Sequence, residues 1–159
     1  MGARSQDGRR GSGVRFAHTL FVDRPVDEVF KYVTDPANQA VWQSGCIESR
    51  LDGGGPLGPG SRLTEVRSFM GKRLHSTLEV TAYEPARRFD LEVVEGPVPS
   101  RVRHRFESAD GGTTIRFEGE TEPGRAFKLA EPIIVRAVKK QSEADFRRLK
   151  QILETGRDE

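Results

Sequence analysis

The strongest constraint on this chain is a succession of short alternating segments between Ser61 and Thr121. Arg101 to Glu107 is the cleanest: Val102, His104 and Phe106 alternate with Arg101, Arg103, Arg105 and Glu107. Successive side chains on a strand point to opposite faces, so this pattern predicts a strand with one dry and one wet face. Phe89 to Glu95 sets Phe89, Leu91 and Val93 against Asp90 and Glu92, and Thr113 to Thr121 sets Ile115 and Phe117 against Thr114, Arg116, Glu118 and Glu120. Met70-Gly71, Glu84-Pro85-Ala86, Gly96-Pro97-Val98-Pro99 and Asp110-Gly111 punctuate the run, the last as a tight-hairpin signal. Half-polar strands at this spacing predict one antiparallel sheet with a solvated face, and another element must cover the dry face.

That cover lies in the last long run. Pro132 to Glu154 predicts a single amphipathic helix. Ile134, Val138, Leu149 and Ile152 fall on one narrow stripe, with Val135, Phe146 and Leu153 at one edge and Ala137 and Ala144 at the other. Pro132 sits where its missing N–H costs nothing, and Gly156 suits the C-terminal stop. Gln141, Ser142 and Asp145 interrupt the middle of the stripe. Either something polar faces them, or they look into a cavity.

The N-terminal part adds a strand and two short helices. Val14 to Val22 places Phe16, His18, Leu20 and Val22 on one face. Val26, Val29, Phe30 and Val33 recur at helical spacing after Pro25, and Asp35 is placed to cap a second helix from Pro36 to about Trp42. Cys46 to Leu51 is a candidate edge strand. The Gly53 to Gly60 stretch (GGGPLGPG) reads as a loop, since no Lys-Ser/Thr and no helix follow it as a phosphate cradle requires. Ser61 to Phe69 is ambiguous. If Leu63 and Phe69 point inward, so do Glu65 and Arg67; if Val66 and Met70 do, those charges are solvated, which is the commoner arrangement. Residues 1–13 are polar and Gly-rich and predict a disordered tail; residues 14–156 read as one domain and 157–159 as a short tail.

Charge narrows the function classes. The 159 residues carry 26 basic and 24 acidic side chains, a net charge of +2, with the signs interleaved. That is no nucleic-acid footprint. A single cysteine, Cys46, excludes an internal disulfide framework and a cysteine zinc site and fits a cytoplasmic location. No apolar run has the length of a membrane span, and no apolar leader opens the chain. No metal site and no cofactor are expected.

The order strand, two short helices, about six strands and one long helix matches a helix-grip α+β architecture. The stretch VDRPVDEVFKYVTDPANQAVWQ, through Val22, Pro25, Val29, Phe30, Asp35, Pro36 and Trp42, resembles the opening of the SRPBCC (START-like) superfamily. Gly60, Gly71, the run from Val80 to Phe89, Gly111-Gly112-Thr113 and Leu149-Lys150 extend the resemblance, which is most similar to the polyketide cyclase/dehydrase-like branch. It implies a curved antiparallel sheet of about seven strands around the long C-terminal helix. Between them it implies a cavity for a hydrophobic small molecule, lipid-like or aromatic and polyketide-like. Some members cyclise or dehydrate polyketides, and some pair as homodimers through their sheets.

On that reading the candidate ligand-binding residues are Trp42, Arg67, Leu78, Leu91, His104, Phe106, Phe117, Gln141 and Asp145. An apolar wall with sparse orienting polar groups is the usual composition of such a site. His104 lies on a dry strand face, where it is either a satisfied core histidine or a pocket group. Asp145 and Gln141 lie one turn apart on the helix, so Asp145 needs a partner such as His104 or an arginine, or else it sits at the solvent edge. His104 and Asp145 are the candidate acid–base pair of an enzyme, although no fixed catalytic motif accompanies them. A third reading is an interaction protein presenting Arg101, Arg103 and Arg105 as a basic ridge; the simpler account is that these line the wet face of the sheet.

Overall fold

The computed structural model describes residues 14–122 and 131–156. The elements run β1 (Val14–Val22), α1 (Val26–Thr34), α2 (Pro36–Trp42), β2 (Cys46–Leu51), β3 (Arg62–Phe69), β4 (Lys72–Glu84), β5 (Arg88–Glu95), β6 (Ser100–Ala109), β7 (Gly112–Thr121) and α3 (Glu131–Thr155). The anticipated tails, 1–13 and 157–159, lie outside the described residues.

All seven strands join one antiparallel sheet in the order β1-β7-β6-β5-β4-β3-β2. Tight hairpins build most of it. Met70-Gly71 and Asp110-Gly111 each place two consecutive residues at positive φ, between 49° and 78°. That backbone matches the twist of the flanking strands, and the glycine takes its share without strain. The N-terminal strand returns to pair with the last one, from Val14 opposite Thr121 to Val22 opposite Thr113. β2 forms the far edge.

The helices follow from local chemistry. Asp35 accepts a hydrogen bond from the Ala37 N–H (3.0 Å), and Pro36 occupies the first helical position of α2. α1 buries Val29, Phe30 and Val33 as its spacing predicts. α3 covers the dry face through Ile134, Phe146, Leu149, Ile152 and Leu153. Its buried stripe is rotated relative to expectation: Val138 is only half-buried, and Ala137 and Ala144 are exposed. Phe146 takes the centre because its ring has far more apolar surface to bury than an alanine. Hydrogen bonds with the β1–α1 region hold the C-terminal half of α3. Arg24 donates to the carbonyls of Leu153 (3.0 Å) and Glu154 (2.9 Å), and Lys150 donates to the Phe21 carbonyl (2.6 Å). Gly156 at φ 70° closes the helix with an N–H bond to the Ile152 carbonyl. The architecture is the helix-grip α+β fold.

Candidate functional site

The inner face of the sheet is organised by strand register. His18 stands opposite Phe117, Phe117 opposite His104, His104 opposite Phe89 and Phe89 opposite Tyr83. Cross-strand partners present their side chains to the same face. Five rings from five strands therefore form one row beneath the helices. Phe146 of α3 lies over this row, 4.4 Å from the His18 ring and 4.4 Å from the Phe117 ring. Phe30 of α1 closes on Tyr83 and Phe106 edge to face. Trp42, at the end of α2, packs against Phe117 and Phe146.

His104 sits inside this aromatic layer at 6% exposure. Its Nδ1 donates to the Phe89 carbonyl at 2.7 Å, the arrangement of a neutral imidazole, which leaves Nε2 as an acceptor. Burial pushes its pKa down to about 4, against the smaller upward pulls of the Phe89 carbonyl and Asp90. His18 is also lowered by burial, while Glu143 opposes the shift.

A second polar region lies on the β2–β3 wing. The ambiguous strand is resolved here: Leu63 and Glu65 are buried on the inner face, while Arg67, on the same face, keeps its side chain 43% exposed at the edge. Pairing decides it, because Leu63 stands opposite the core residue Leu78, and that fixes every second position on β3. Arg67 Nη2 lies 2.5 Å from Glu65 Oε1 and donates its hydrogen bond to Gln43 Oε1. Gln43 in turn donates to Gln39, and Gln39 to the Val33 carbonyl (2.9 Å), so the polar chain runs from β3 across α2 to the end of α1. Cys46 joins it between the Glu48 carbonyl and the Glu65 carboxyl. Burial first, and Glu65 in part, push its thiol up to about 11 against the pull of Arg67, so it is an unreactive thiol.

The polar break in α3 has a different partner from the one sought. Asp145 accepts from the Ser44 N–H (3.1 Å) and hydroxyl (2.8 Å), and Gln141 donates to the same hydroxyl (3.1 Å). Gln141 is exposed and Asp145 half-buried, at the rim where α3 passes the α2–β2 turn. The structure thus does not join Asp145 to His104. Trp42, Leu78, Leu91, Phe106, Phe117 and His104 form one continuous core, while Arg67, Gln141 and Asp145 lie towards its edge.

Sequence reasoning did not single out Gln43 or Tyr83, and it left the face of Glu65 undecided. The available signal was the two-residue period linking Leu63, Glu65 and Arg67, which an equally spaced alternative on the same strand obscured.

The outer face is charged but largely self-neutralised. Arg15 pairs with Glu120, Arg101 with Glu92, and Arg116 with Glu118. Asp90 is buried there between Arg88 (2.8 Å) and Arg105 (2.6 Å). Burial works to raise its pKa, but the hydrogen bonds and charges of the two arginines outweigh it and hold the carboxyl below its ordinary value. Arg101 and Arg105 of the candidate basic ridge are thus paired with carboxylates on the wet face of the sheet. Among the described residues, no helix is long and apolar enough to cross a membrane, and no cluster of His, Cys, Asp or Glu is placed to hold a metal.

A sequence model of the family described as "Polyketide cyclase / dehydrase and lipid transport" matches residues 13–154. The chain belongs to this family. No curated protein matches it in sequence. Among solved structures it is similar to TTHA0849 from Thermus thermophilus, with TM-score 0.75 and 14% identity over 87% of this chain and 96% of that one. Ara h 8.0201 aligns with TM-score 0.65 and 17% identity, covering 89% of this chain and 97% of that one. The di-domain ARO/CYC StfQ from the steffimycin biosynthetic pathway aligns with TM-score 0.71 and 12% identity; the alignment covers 91% of this chain and 51% of that longer one. At these identities the likeness is one of fold. Family membership supports a protein of the ligand-binding or cyclase type.

Proposed function

We propose that this protein binds a hydrophobic small molecule, lipid-like or aromatic and polyketide-like, between the inner face of the sheet and α3. The supporting observation is the composition of that inner face. Rings from five strands form one row, with isolated polar groups set among and beside them. Apolar walls with sparse orienting polar groups are the chemistry of small-molecule sites. Trp42, Leu78, Leu91, Phe106 and Phe117 supply the wall, His104 Nε2 an acceptor, and Arg67, Gln141 and Asp145 the polar rim. We place the protein in the cytoplasm, which its free, buried Cys46 thiol suits. The test is thermal denaturation against a panel of fatty acids, sterols and polycyclic aromatics. A ligand at about a hundredfold its Kd adds about 2.7 kcal/mol, which raises Tm by about 5–10 °C in a chain of this size. A panel without any shift contradicts the reading.

The alternative is a cyclase or dehydratase using His104 and Asp145. Its support is the family description and the neutral His104 imidazole with an unoccupied Nε2 lone pair. Two observations favour binding over it. Asp145 is engaged by Ser44, and an imidazole with a pKa of about 4 is a weak base at neutral pH. Under the enzymatic reading, His104→Ala abolishes turnover of the substrate while the protein stays folded; unchanged turnover excludes the assignment.

A further inference from the structure

β2 ends the sheet on one side and pairs only with β3. The Asp52 N–H donates to the Arg62 carbonyl at 2.9 Å, one step beyond the Leu51–Leu63 pair. Bonded and non-bonded pairs alternate along an antiparallel ladder, so Arg50 and Glu48 bond to β3 as Asp52 does. The backbone N–H and C=O groups of Ser49 and Leu51 therefore point to the open side. The opposite edge, β1, is occupied by α3, whose Lys150 donates to the Phe21 carbonyl. β2 instead carries Glu48 and Arg50 on its solvated face, with side chains 53% and 66% exposed and 3.7 Å apart. Ile47 beside them is exposed too. Open edges are ordinarily guarded by charge, lysine above all, and charge of one sign repels a second copy. Here the two signs alternate.

That alternation is self-complementary in one register. Let two β2 strands run antiparallel about a two-fold axis through Ser49. Ser49 then faces the partner's Ser49, Glu48 faces the partner's Arg50, and Ile47 faces the partner's Leu51. The Ser49 pair uses the backbone groups that point outward. The Glu48–Arg50 pairs fall at the non-hydrogen-bonded positions, where facing side chains stand closest. Symmetry makes two such ion pairs. Moving the axis to Glu48 sets that carboxylate against its own copy. Moving it to Arg50 sets two guanidinium groups together and turns Glu48 against the partner's Asp52. The bulge between Cys46 and Glu48 ends the regular ladder, so the joint is short. We propose that β2 joins a second copy of this chain edge to edge in the Ser49-centred register, held by reciprocal Glu48–Arg50 pairs. The two sheets become one across the axis. A joint of this length falls in the small-interface class, so a Kd of about 10–100 µM is expected. The proposal is independent of the ligand-binding reading.

Sedimentation velocity of the full chain from about 1 to about 300 µM tests it, and wild type should pass from monomer to dimer over that range. Glu48→Arg and, separately, Arg50→Glu each turn both attractions into repulsions and should raise the Kd at least about tenfold. Arg50→Gln, which removes the charge without reversing it, should raise it several-fold. Both side chains are exposed, so the thermal transition of these variants should stay near that of wild type. An equimolar mixture of the Glu48→Arg and Arg50→Glu chains sets arginine against glutamate at both positions and should recover the dimer as a heterodimer. The double variant Glu48→Arg/Arg50→Glu should dimerise as wild type does. A wild-type chain that stays monomeric throughout overturns the proposal. So does a dimer that neither the reversals nor Arg50→Gln weaken, because the contact then lies elsewhere. A loss on reversal that neither the mixture nor the double variant recovers overturns the register.

Discussion

His104 is the residue whose chemistry is most altered by its surroundings. Its folded pKa of about 4 lies below the ordinary value of 6.5, so the unfolded chain takes up a proton first as pH falls. Its contribution to stability is complete above about pH 6.5 and is lost progressively down to about pH 4. At about 1.4 kcal/mol per pH unit that is a loss of about 3 kcal/mol. Urea titrations at pH 7.0 and 4.5 measure it. His104→Gln, which keeps a donor for the Phe89 carbonyl but does not titrate, should lose less stability over that interval than wild type; an identical loss in both contradicts the assignment. The position of His104 on a dry strand face was legible from its alternation with Arg103 and Arg105. Its hydrogen bond was not, because Phe89 reaches it only through the β5–β6 register. Asp145 makes the same point in reverse. Its place on the helix was legible, but its partner Ser44 lies in a turn with no periodic pattern of its own.

At the scale of elements, close approach and end-capping set the constraints. Gly119 on β7 faces Phe16 on β1, and a Cβ at Gly119 would lie 1.9 Å from the Phe16 ring. Gly119→Ala should therefore destabilise by about 1–3 kcal/mol, read as a fall in Tm of about 2–12 °C, and adding Phe16→Ala should recover part of it. A fully additive double mutant contradicts direct contact as the cause. Arg24, between β1 and α1, ties down the C-terminal carbonyls of α3, where a cation also complements the helix dipole. Arg24→Ala should cost about 1–3 kcal/mol and raise amide exchange in the last turn of α3 before the rest of the helix. Uniform exchange along α3 runs against that anchoring. The helices and hairpins were readable because their signals are local: Asp35-Pro36, the Val26-Val29-Phe30-Val33 stripe and Asp110-Gly111. The rotation of α3 was not readable. It is set by Phe146 meeting His18 and Phe117, two strands that only the folded sheet brings side by side.

At the scale of the whole molecule, one curved sheet and one long helix enclose a largely aromatic interior, and the family to which the chain belongs is described by polyketide chemistry and lipid transport. The fold was legible because strand order, helix order and the dry face each follow from periodicity. The site was only partly legible, because inner and outer faces of β3 carry equally spaced candidates and the choice between them belongs to pairing. Native mass spectrometry of the gently purified protein tests the central claim most directly. A hydrophobic small molecule held one to one on the chain and released on denaturation is the predicted result. Spectra that show only the bare chain, both as purified and after incubation with the fatty-acid, sterol and polycyclic aromatic panel, would contradict it.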